Sequence, residues 1–424
     1  MFKLFKSLKV VFVCKQTVIL GVVAVLVCIA AMLVVSKTVP AASTTSADEY
    51  VILAANDLGM HCIQKDYSSF LVLPPANNLR VQVFKKGGSN GATLIKSGIT
   101  IKYKIIDNTT SSSKVNFWQY AKDYGFDVAE NVGITGNKLS GEMQLSSDKK
   151  YYEATAIPVV PYNDSAPDKL NPYQVAQITV WDNKTNKPVA ISDSVVVPVS
   201  DEMKCSACHG ENDTDLSILK SHDELSGTTL VQDLQNNIRH KCADCHKDNA
   251  LGVPGKEGVK PLSEAIHGFH QSKMELTDIQ PKCNSCHPGP VTQCNRGRMV
   301  EAGITCDNPN CHGTMGNVAD SQKNGREAWL QEPDCGKCHR EEYASNPNTL
   351  YKNSYLQNAP GDEMNDKIRC QSCHNSTHAE WRSTLAIDNY LPQSLLGYAS
   401  FIDKCTVCHE GEGNVHNKPE EIRK

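Results

Sequence analysis

The chain reads Cys205-Ser206-Ala207-Cys208-His209 at the point where its composition changes. Fifteen of the 18 cysteines and 13 of the 14 histidines lie at or beyond Cys205. Six motifs have the spacing C-x-x-C-H: Cys205, Cys208 and His209; Cys242, Cys245 and His246; Cys283, Cys286 and His287; Cys335, Cys338 and His339; Cys370, Cys373 and His374; and Cys405, Cys408 and His409. One motif has four residues between its cysteines and consists of Cys306, Cys311 and His312. This repeated pattern decides how the C-terminal half of the chain folds.

Each cysteine pair is suited to bind one haem covalently. Two thiols can form thioethers with the two vinyl groups of a haem, and the adjacent histidine then lies under the ring as an axial iron ligand. Zinc knuckles built from two C-x-x-C pairs would leave one of the seven motifs unpaired. Neither zinc nor a disulfide framework explains why a histidine follows every second cysteine. The motifs therefore predict seven haem c groups, at sites numbered 1 to 7 in chain order.

Site 4 carries the longer spacer, Asp307-Asn308-Pro309-Asn310. It resembles the expanded motif of small tetrahaem cytochromes. Such a spacer requires a bulged loop, which Asn308-Pro309 can form.

The haem-binding region, residues 201–424, has few long apolar runs and no sustained strand alternation. Short helices are predicted at residues 216–225 and 325–330. So few aliphatic clusters could not form an ordinary core, so we expect haem to supply the apolar volume. The predicted fold is a haem-cored, mostly irregular domain with short helices.

Residues 50–200 show a β pattern instead. Ile99, Ile101, Tyr103 and Ile105 alternate with polar residues, which is the period of a strand with one buried face. Residues 175–181 and 195–199 predict two further strands, and a polar loop at 182–187 predicts a hairpin between them. Short strands separated by turn residues predict an all-β sandwich domain, with the immunoglobulin arrangement as one candidate topology.

The N-terminus, residues 1–42, is predicted to be a signal peptide or a membrane anchor. Lysines precede an uncharged run at residues 17–35, whose length lies between a cleavable signal and a spanning helix. Both alternatives place the rest of the chain outside the cytoplasm. Residues 43–49 form a polar linker. The membrane is a partner only through this segment, if it stays uncleaved.

Seven histidines remain after the seven motif histidines are subtracted from 14. They are His61, His222, His240, His267, His270, His378 and His416. One spare histidine for each haem predicts bis-histidine coordination throughout, which favours one-electron transfer over chemistry at iron. The match requires His61, so we expect the β-domain either to fold back onto the haem region or to donate His61 to a neighbouring molecule.

Two cysteines beyond the N-terminal segment lie outside the motifs, Cys62 and Cys294. In an oxidising compartment they are candidates for a disulfide that would tie the β-domain to the haem region. Two buried thiols, or a metal site formed by Cys62 and His61, are the alternatives.

The motifs, the export signal and the β-domain together resemble the large multihaem cytochromes of bacteria and archaea that respire minerals or partner cells. Two segments carry the resemblance beyond the motifs: Asn56-Asp57-Leu58-Gly59-Met60-His61-Cys62, with Asp66-Tyr67-Ser68 and Leu73-Pro74-Pro75 after it, and Cys286 to Cys294. The resemblance implies an extracellular or cell-surface electron carrier, otherwise a periplasmic or outward-facing anchored one. Its partners would be redox cytochromes, a mineral or other extracellular acceptor, or further copies in a cytochrome filament.

Three functions remain open at this stage. The leading one is an electron conduit and not an enzyme. The second is a multihaem reductase of a small nitrogen or sulfur oxyanion, which needs one haem with an open iron position. The third assigns docking to the β-sandwich, a fold with many uses. A net charge of −4 without a block of like charge predicts no nucleic-acid partner.

Overall fold

The computed structural model describes residues 49–87, 92–276, 278, 282–289, 291–331, 335–337, 339, 344–345, 355–357 and 367–410. The predicted signal or anchor, the linker up to residue 48, Cys338 and His416 lie outside these described residues. Within the described residues, no helix is long and apolar enough to cross a membrane. The chain is mixed α/β, with strands in several sheets and short helices.

Two larger sheets occupy the region up to residue 200. The first sheet consists of β1 (Tyr50–Asn56), β4 (Leu79–Lys85), β5 (Thr93–Leu94), β8 (Gln144–Leu145) and β9 (Tyr152–Ala154). Its strand order is β1-β4-β9-β8, and β5 pairs with β4 as well. The second has the order β2-β13-β12-β6-β7: β2 (His61–Cys62), β6 (Ile99–Ile105), β7 (Ser140–Glu142), β12 (Tyr173–Asp182) and β13 (Lys187–Ser200). The strand over β6 and the hairpin that pairs Asp182 with Lys187 confirm the sequence predictions.

The structure also contains two small sheets of two strands each. They pair β10 (Tyr162–Asn163) with β11 (Ala166–Leu170), and β3 (Phe70–Leu71) with β14 (His240–Lys241). The β3–β14 pair is parallel and joins the β region directly to the segment before site 2.

One apolar core lies between residues of both larger sheets. Val81 and Val83 of the first sheet and Ile101 and Ile178 of the second belong to the same buried cluster. In β6 the isoleucines and Tyr103 are buried while Lys102 and Lys104 are exposed, as period-2 alternation requires. Each fully buried aliphatic side chain contributes about 1.5–3 kcal/mol, so this cluster stabilises the β region.

A second, smaller apolar cluster joins the two regions. Val51 and Phe84, on the other face of the first sheet, pack with Leu396 and Val407. Strand β1 is therefore buried on both faces, which explains its continuous apolar sequence. The division at residues 200 and 201 stays a prediction, because the two regions share this cluster.

Beyond residue 200 the described residues form short helices and turns, together with strand β14. An isolated helix, α1 (Phe117–Tyr120), lies within the β region, and the remaining helices are α2 (Ser206–His209), α3 (Thr214–Ser226), α4 (Leu230–Gln235), α5 (Leu262–His270), α6 (Arg298–Glu301), α7 (Met315–Lys323), α8 (Cys370–His374) and α9 (Tyr390–Leu396). Helix α3 confirms the prediction at residues 216–225 and ends at Gly227, whose positive φ closes the helix.

The helix predicted at residues 325–330 is wrong. Those residues form turns, and the nearest helix is α7. Thr314 begins α7 with a capping box: its hydroxyl accepts from the Asn317 backbone while the Asn317 side chain reaches back to Thr314.

Candidate haem sites

The short motifs of sites 1, 2, 3, 6 and 7 form one helical turn each. Residues at i, i+3 and i+4 lie on one face of such a turn, so two cysteines and the following histidine face the same side. The histidine N–H donates to the carbonyl of the first cysteine at 3.0 Å in sites 1 and 2 and at 2.9 Å in sites 3, 5 and 7. In site 6 the motif is helix α8. The C-x-x-C-H spacing thus places two thiols, suited to thioether bonds, and one imidazole, suited to bind iron, on the same side of the turn.

Site 4 adopts a different local structure. Its longer spacer turns at Asn308, whose carbonyl accepts the N–H groups of Cys311 at 2.9 Å and Gly313 at 3.0 Å. The extra residues therefore form a loop, and the motif is not one helical turn. This arrangement agrees with the bulged loop that the spacer predicted.

Backbone contacts from other segments hold the motifs of sites 2 and 7. In site 2 the Cys245 carbonyl accepts the Lys256 N–H at 2.8 Å, which fixes the second cysteine against the loop that follows the motif. In site 7 His409 forms an isolated parallel bridge with Gly87, and the Glu410 N–H donates to the Gly87 carbonyl at 3.0 Å. Site 7 therefore lies against the end of the first sheet. Haem attachment by Cys245 and iron ligation by His409 stay predictions.

Four motif histidines each lie opposite a spare histidine. The distances between ring centroids are 6.4 Å for His209 and His270, 6.3 Å for His246 and His222, 5.9 Å for His287 and His267, and 6.0 Å for His312 and His378. These pairs bring together sites 1 to 4 with four of the seven predicted distal ligands.

The ring separations match the space that one iron requires. A first-row metal lies about 2.0 Å from an imidazole nitrogen, and the ring centroid lies about 1.1 Å further, so two opposed ligands place their centroids about 6.2 Å apart. The observed 5.9–6.4 Å therefore fits a bis-histidine haem at each of the four sites.

Hydrogen bonds hold the outer nitrogen of several of these rings. The Nδ1 atom lies 2.7 Å from the Lys260 carbonyl in His246, 2.7 Å from the Ser263 carbonyl in His267 and 2.8 Å from the Ile266 carbonyl in His270. A carbonyl accepts, so Nδ1 carries the proton and Nε2 is the nitrogen left for a metal. This second contact is the usual way in which proteins orient a ligating histidine.

Three of the candidate ligand histidines are also kept neutral. Burial, reinforced by repulsion from the facing ring, lowers the pKa of His287 to about 4 and of His312 to about 3. Burial and Arg296 lower the pKa of His378 to about 4. Metal binding requires unprotonated imidazole, so these environments favour the ligating form near neutral pH.

Neighbouring sites are connected through shared elements. His267 and His270 lie on one face of α5, so the candidate distal ligands of sites 3 and 1 come from one helix. The Cys283 and Cys306 side chains, of sites 3 and 4, hydrogen-bond to each other. Helix α8 of site 6 ends at His374, four residues before His378 of site 4.

Sites 5 and 7 both lie beside site 6. Burial and then repulsion from His339 lower the pKa of His374 to about 4, and burial and then Cys408 raise the pKa of Cys373 to about 12. The His374 ring also stacks on Phe401 at 5.1 Å. The distal ligands of all seven sites stay predictions, and one candidate for sites 5 to 7, His416, lies outside the described residues.

The spare histidines His61 and His240 have a different environment. Nε2 of His61 is 2.7 Å from Asp57 and Nε2 of His240 is 3.0 Å from Asp233. Burial opposes ionisation of Asp57, but attraction to His61 and Arg80 outweighs it and lowers the Asp57 pKa to about 2. The carboxylate accepts, so in this arrangement Nε2 carries the proton. Ligation by either histidine stays a prediction.

Cys62 and Cys294 are neighbours, and both are free cysteines in the structure, so the disulfide between them stays a prediction. Burial and then repulsion from Cys294 raise the pKa of Cys62, and burial raises the pKa of Cys294 to about 11. The Cys294 Sγ atom lies 3.9 Å from Nδ1 of His378. The pair thus lies at the contact between the β region and site 4.

Most of the large apolar side chains that are exposed lie in the region of the motifs, beyond residue 200. Of eleven large apolar residues that are exposed in the described part of the chain, only Ile106 precedes residue 200. Ile266 and Phe269 flank the ligands on α5, and Phe401 lies against His374. A planar apolar group bound at these sites would cover such side chains, so the residues present fit haem.

Groups of three or more His, Cys, Asp or Glu side chains that could hold a metal ion were not found among the described residues. An iron with two histidine ligands needs only two protein side chains. The histidine pairs described above therefore have fewer members than these groups of three. Comparison with protein-family models, curated proteins and solved structures found no match to this chain.

Sequence reasoning missed the buried polar residues that connect the two regions. The Gln82 amide donates to the carbonyls of Lys150 at 2.8 Å and Lys367 at 2.6 Å, and its oxygen accepts from the Arg369 backbone and the Ser372 hydroxyl. Arg296 is fully buried in an ion pair with Asp388. Neither residue belongs to a motif or a periodic pattern, so no sequence signal could have identified them.

Proposed function

We propose that this protein transfers electrons through seven covalently bound c-type haems, at sites 1 to 7. The observation that carries the proposal is the set of four histidine pairs, each with one motif histidine and one spare histidine at 5.9–6.4 Å. When bound, each haem supplies an iron that exchanges one electron between the ferric and ferrous states.

The residues of the chain then have defined roles. The paired cysteines of each motif attach the group, the motif histidine binds one side of the iron, and the spare histidine closes the other side. Backbone carbonyls at Ser263, Ile266 and Lys260 orient three of these rings. A closed sixth position excludes substrate, which favours electron transfer over catalysis.

The shared elements support a spatial order of sites that differs from their order in the chain. Site 2 takes His222 from helix α3, which follows the site 1 motif, and site 1 is linked to site 3 by α5. Site 3 is linked to site 4 through Cys283 and Cys306, and site 4 to site 6 through the segment from His374 to His378. The proposed order is 2-1-3-4-6, with sites 5 and 7 both beside site 6.

The β region is proposed to be a β-sandwich with an immunoglobulin-like arrangement, because two sheets share one apolar core. The N-terminal lysines and apolar run support export, to the cell surface, the extracellular space or the periplasm, with anchoring if the segment is uncleaved. Redox cytochromes, a mineral or another extracellular acceptor are the proposed partners, and assembly into a cytochrome filament is proposed from the sequence resemblance.

A second candidate is reduction of a small nitrogen or sulfur oxyanion at a site without a distal histidine. One observation favours it: His61 and His240 both direct Nε2 to an aspartate. If neither binds iron, His416 alone of the seven spare histidines remains for sites 5 to 7.

Potentiometric titration of the purified protein, with a magnetic circular dichroism spectrum of its ferric state, tests the proposal. Electron transfer predicts reversible uptake of seven electrons per chain and low-spin haems. A high-spin haem whose spectrum changes when nitrite or sulfite is added would favour the reductase. A protein that takes up no electrons would contradict both.

A further inference from the structure

A buried junction connects the β region to the distal ligand of site 4. Arg296 is 1% exposed, and its guanidinium binds the Asp388 carboxylate through Nε at 2.7 Å and Nη2 at 3.1 Å. A bidentate pair of this kind has a fixed geometry, and removing one partner would leave a buried charge uncompensated. Arg296 and Asp388 therefore hold one another in place.

The same arginine joins three separate segments. Its Nη1 atom donates to the carbonyls of Gly59 at 2.9 Å and Cys294 at 3.1 Å. The backbone N–H groups of Arg296 and Gly297 donate to the His378 carbonyl at 2.7 and 2.8 Å. Arg296 thus fixes the backbone of His378 from one side and the 56–62 segment from the other.

The 56–62 segment packs directly against the backbone of Thr377, the residue before His378. Gly59 has φ +79°, and a Cβ atom placed on it would lie 2.0 Å from the Thr377 carbonyl oxygen and 3.3 Å from the His378 Cβ. Only glycine allows this approach. The Gly59 N–H donates to the Asn56 side chain at 3.1 Å, and the Leu58 backbone hydrogen-bonds with His378.

His378 itself has an unusual backbone. Its φ of +74° is a conformation that residues other than glycine rarely adopt, and such conformations persist when surrounding structure imposes them. The contacts from Arg296 and Gly59 supply that constraint. In this conformation the His378 ring lies 6.0 Å from the His312 ring.

We propose that the 56–62 segment and Arg296 together position His378 as the distal ligand of site 4. Arg296, Asp388 and Gly59 are positioning residues, since they act through His378. The inference rests on the proposed haem function, and it gives a role to a β-region segment that carries no haem motif.

The test compares two glycine variants of the full-length, haem-loaded protein. Gly59→Ala places a methyl group against the Thr377 carbonyl, whereas Gly98→Ala, at φ +77°, has no atom within 4 Å of the new Cβ. An alanine at either position is strained by the positive φ, so a difference between the spectra of the two variants reports the steric clash of the new Cβ with the segment that carries His378. Asp388→Asn, which keeps the side-chain volume, tests the arginine independently. His378→Ala identifies the spectral component that belongs to site 4.

The readouts are intact mass and the low-spin and high-spin content of the ferric protein. Gly59→Ala and Asp388→Asn should keep seven haems by mass and convert one of them to high spin, the one that His378→Ala also converts. Gly98→Ala should match the wild type. A loaded Gly59→Ala or Asp388→Asn protein with the wild-type spectrum, or one changed in a different component, would overturn the inference. A wild-type mass without haem would instead refute the proposed function.

Discussion

Site 2 allows a sharp choice between two candidate ligands. In the sequence, His240 lies two residues before Cys242, the first cysteine of site 2. The structure instead places His222 of α3 opposite His246, with ring centroids 6.3 Å apart and ring planes at 89°. His240 instead bonds to Asp233. We predict that His222→Ala converts the haem of site 2 to high spin and that His240→Ala, the matched control, leaves the site 2 haem low-spin.

The size of the effect follows from the geometry around His222. Thr228 Oγ1, a hydrogen-bond partner of the ring, lies 3.0 Å from Nδ1, whereas Nε2 is the nitrogen that would bind iron. That oxygen would be about 7 Å from the iron, so it cannot replace the lost ligand at a bond length of about 2 Å. The high-spin signal should therefore correspond to a full haem, one in seven, with no partial compensation.

Electron paramagnetic resonance of the ferric protein, calibrated by spin counting, measures this fraction. Added imidazole should enter the space that the ring leaves and restore the low-spin signal. A high-spin haem in His240→Ala and none in His222→Ala would refute the assignment of distal ligands from ring separation.

Three further predictions concern other parts of the molecule. The rings of His267 and His287 are nearly parallel, at 12°, so His267→Ala should remove a rhombic low-spin resonance, whereas His222→Ala should remove a highly anisotropic one. Gln82→Leu should reduce the free energy of unfolding by about 2–4 kcal/mol in denaturant titrations, because it leaves buried backbone groups without partners, while Gln177→Leu on β12 should change it by less than about 0.5 kcal/mol. Asp164 accepts hydrogen bonds from Lys114 and Thr109. Burial alone would raise the pKa of Asp164, but these contacts outweigh burial and lower the pKa from 3.8 to about 2. This carboxylate therefore contributes at most about 2 kcal/mol above pH 4, and the contribution is lost as the pH falls toward 2. Asp164→Asn should flatten that part of the stability curve, and an unchanged curve would contradict the assignment.

Local patterns predicted the local structure well. The alternation at Ile99 to Ile105 corresponds to strand β6, and the six short motifs have a spacing that matches one helical turn. Helix α7 begins at a capping pair, Thr314 and Asn317, that is visible in the sequence, whereas residues 325–330, predicted to be helical, do not form a helix. Periodicity and spacing are properties of neighbouring residues, so they can be read without the fold.

The pairing of ligands could not be read in this way. His240 is close to Cys242 in sequence and yet lies in a carboxylate contact, while His378 reaches site 4 from 66 residues after His312. Likewise, Val51 and Phe84 of the β region pack on Leu396 and Val407 across the predicted domain boundary. Such contacts depend on tertiary packing, and a single sequence carries no local signal for them.

The intact mass of the denatured, mature protein tests the central claim most directly. Thioether bonds survive denaturation, so each occupied motif should add the mass of one haem to the polypeptide. We predict an excess of seven haems. An excess of six would remove site 4 from the haem chain, and a bare polypeptide mass would contradict haem attachment and the electron-transfer function altogether.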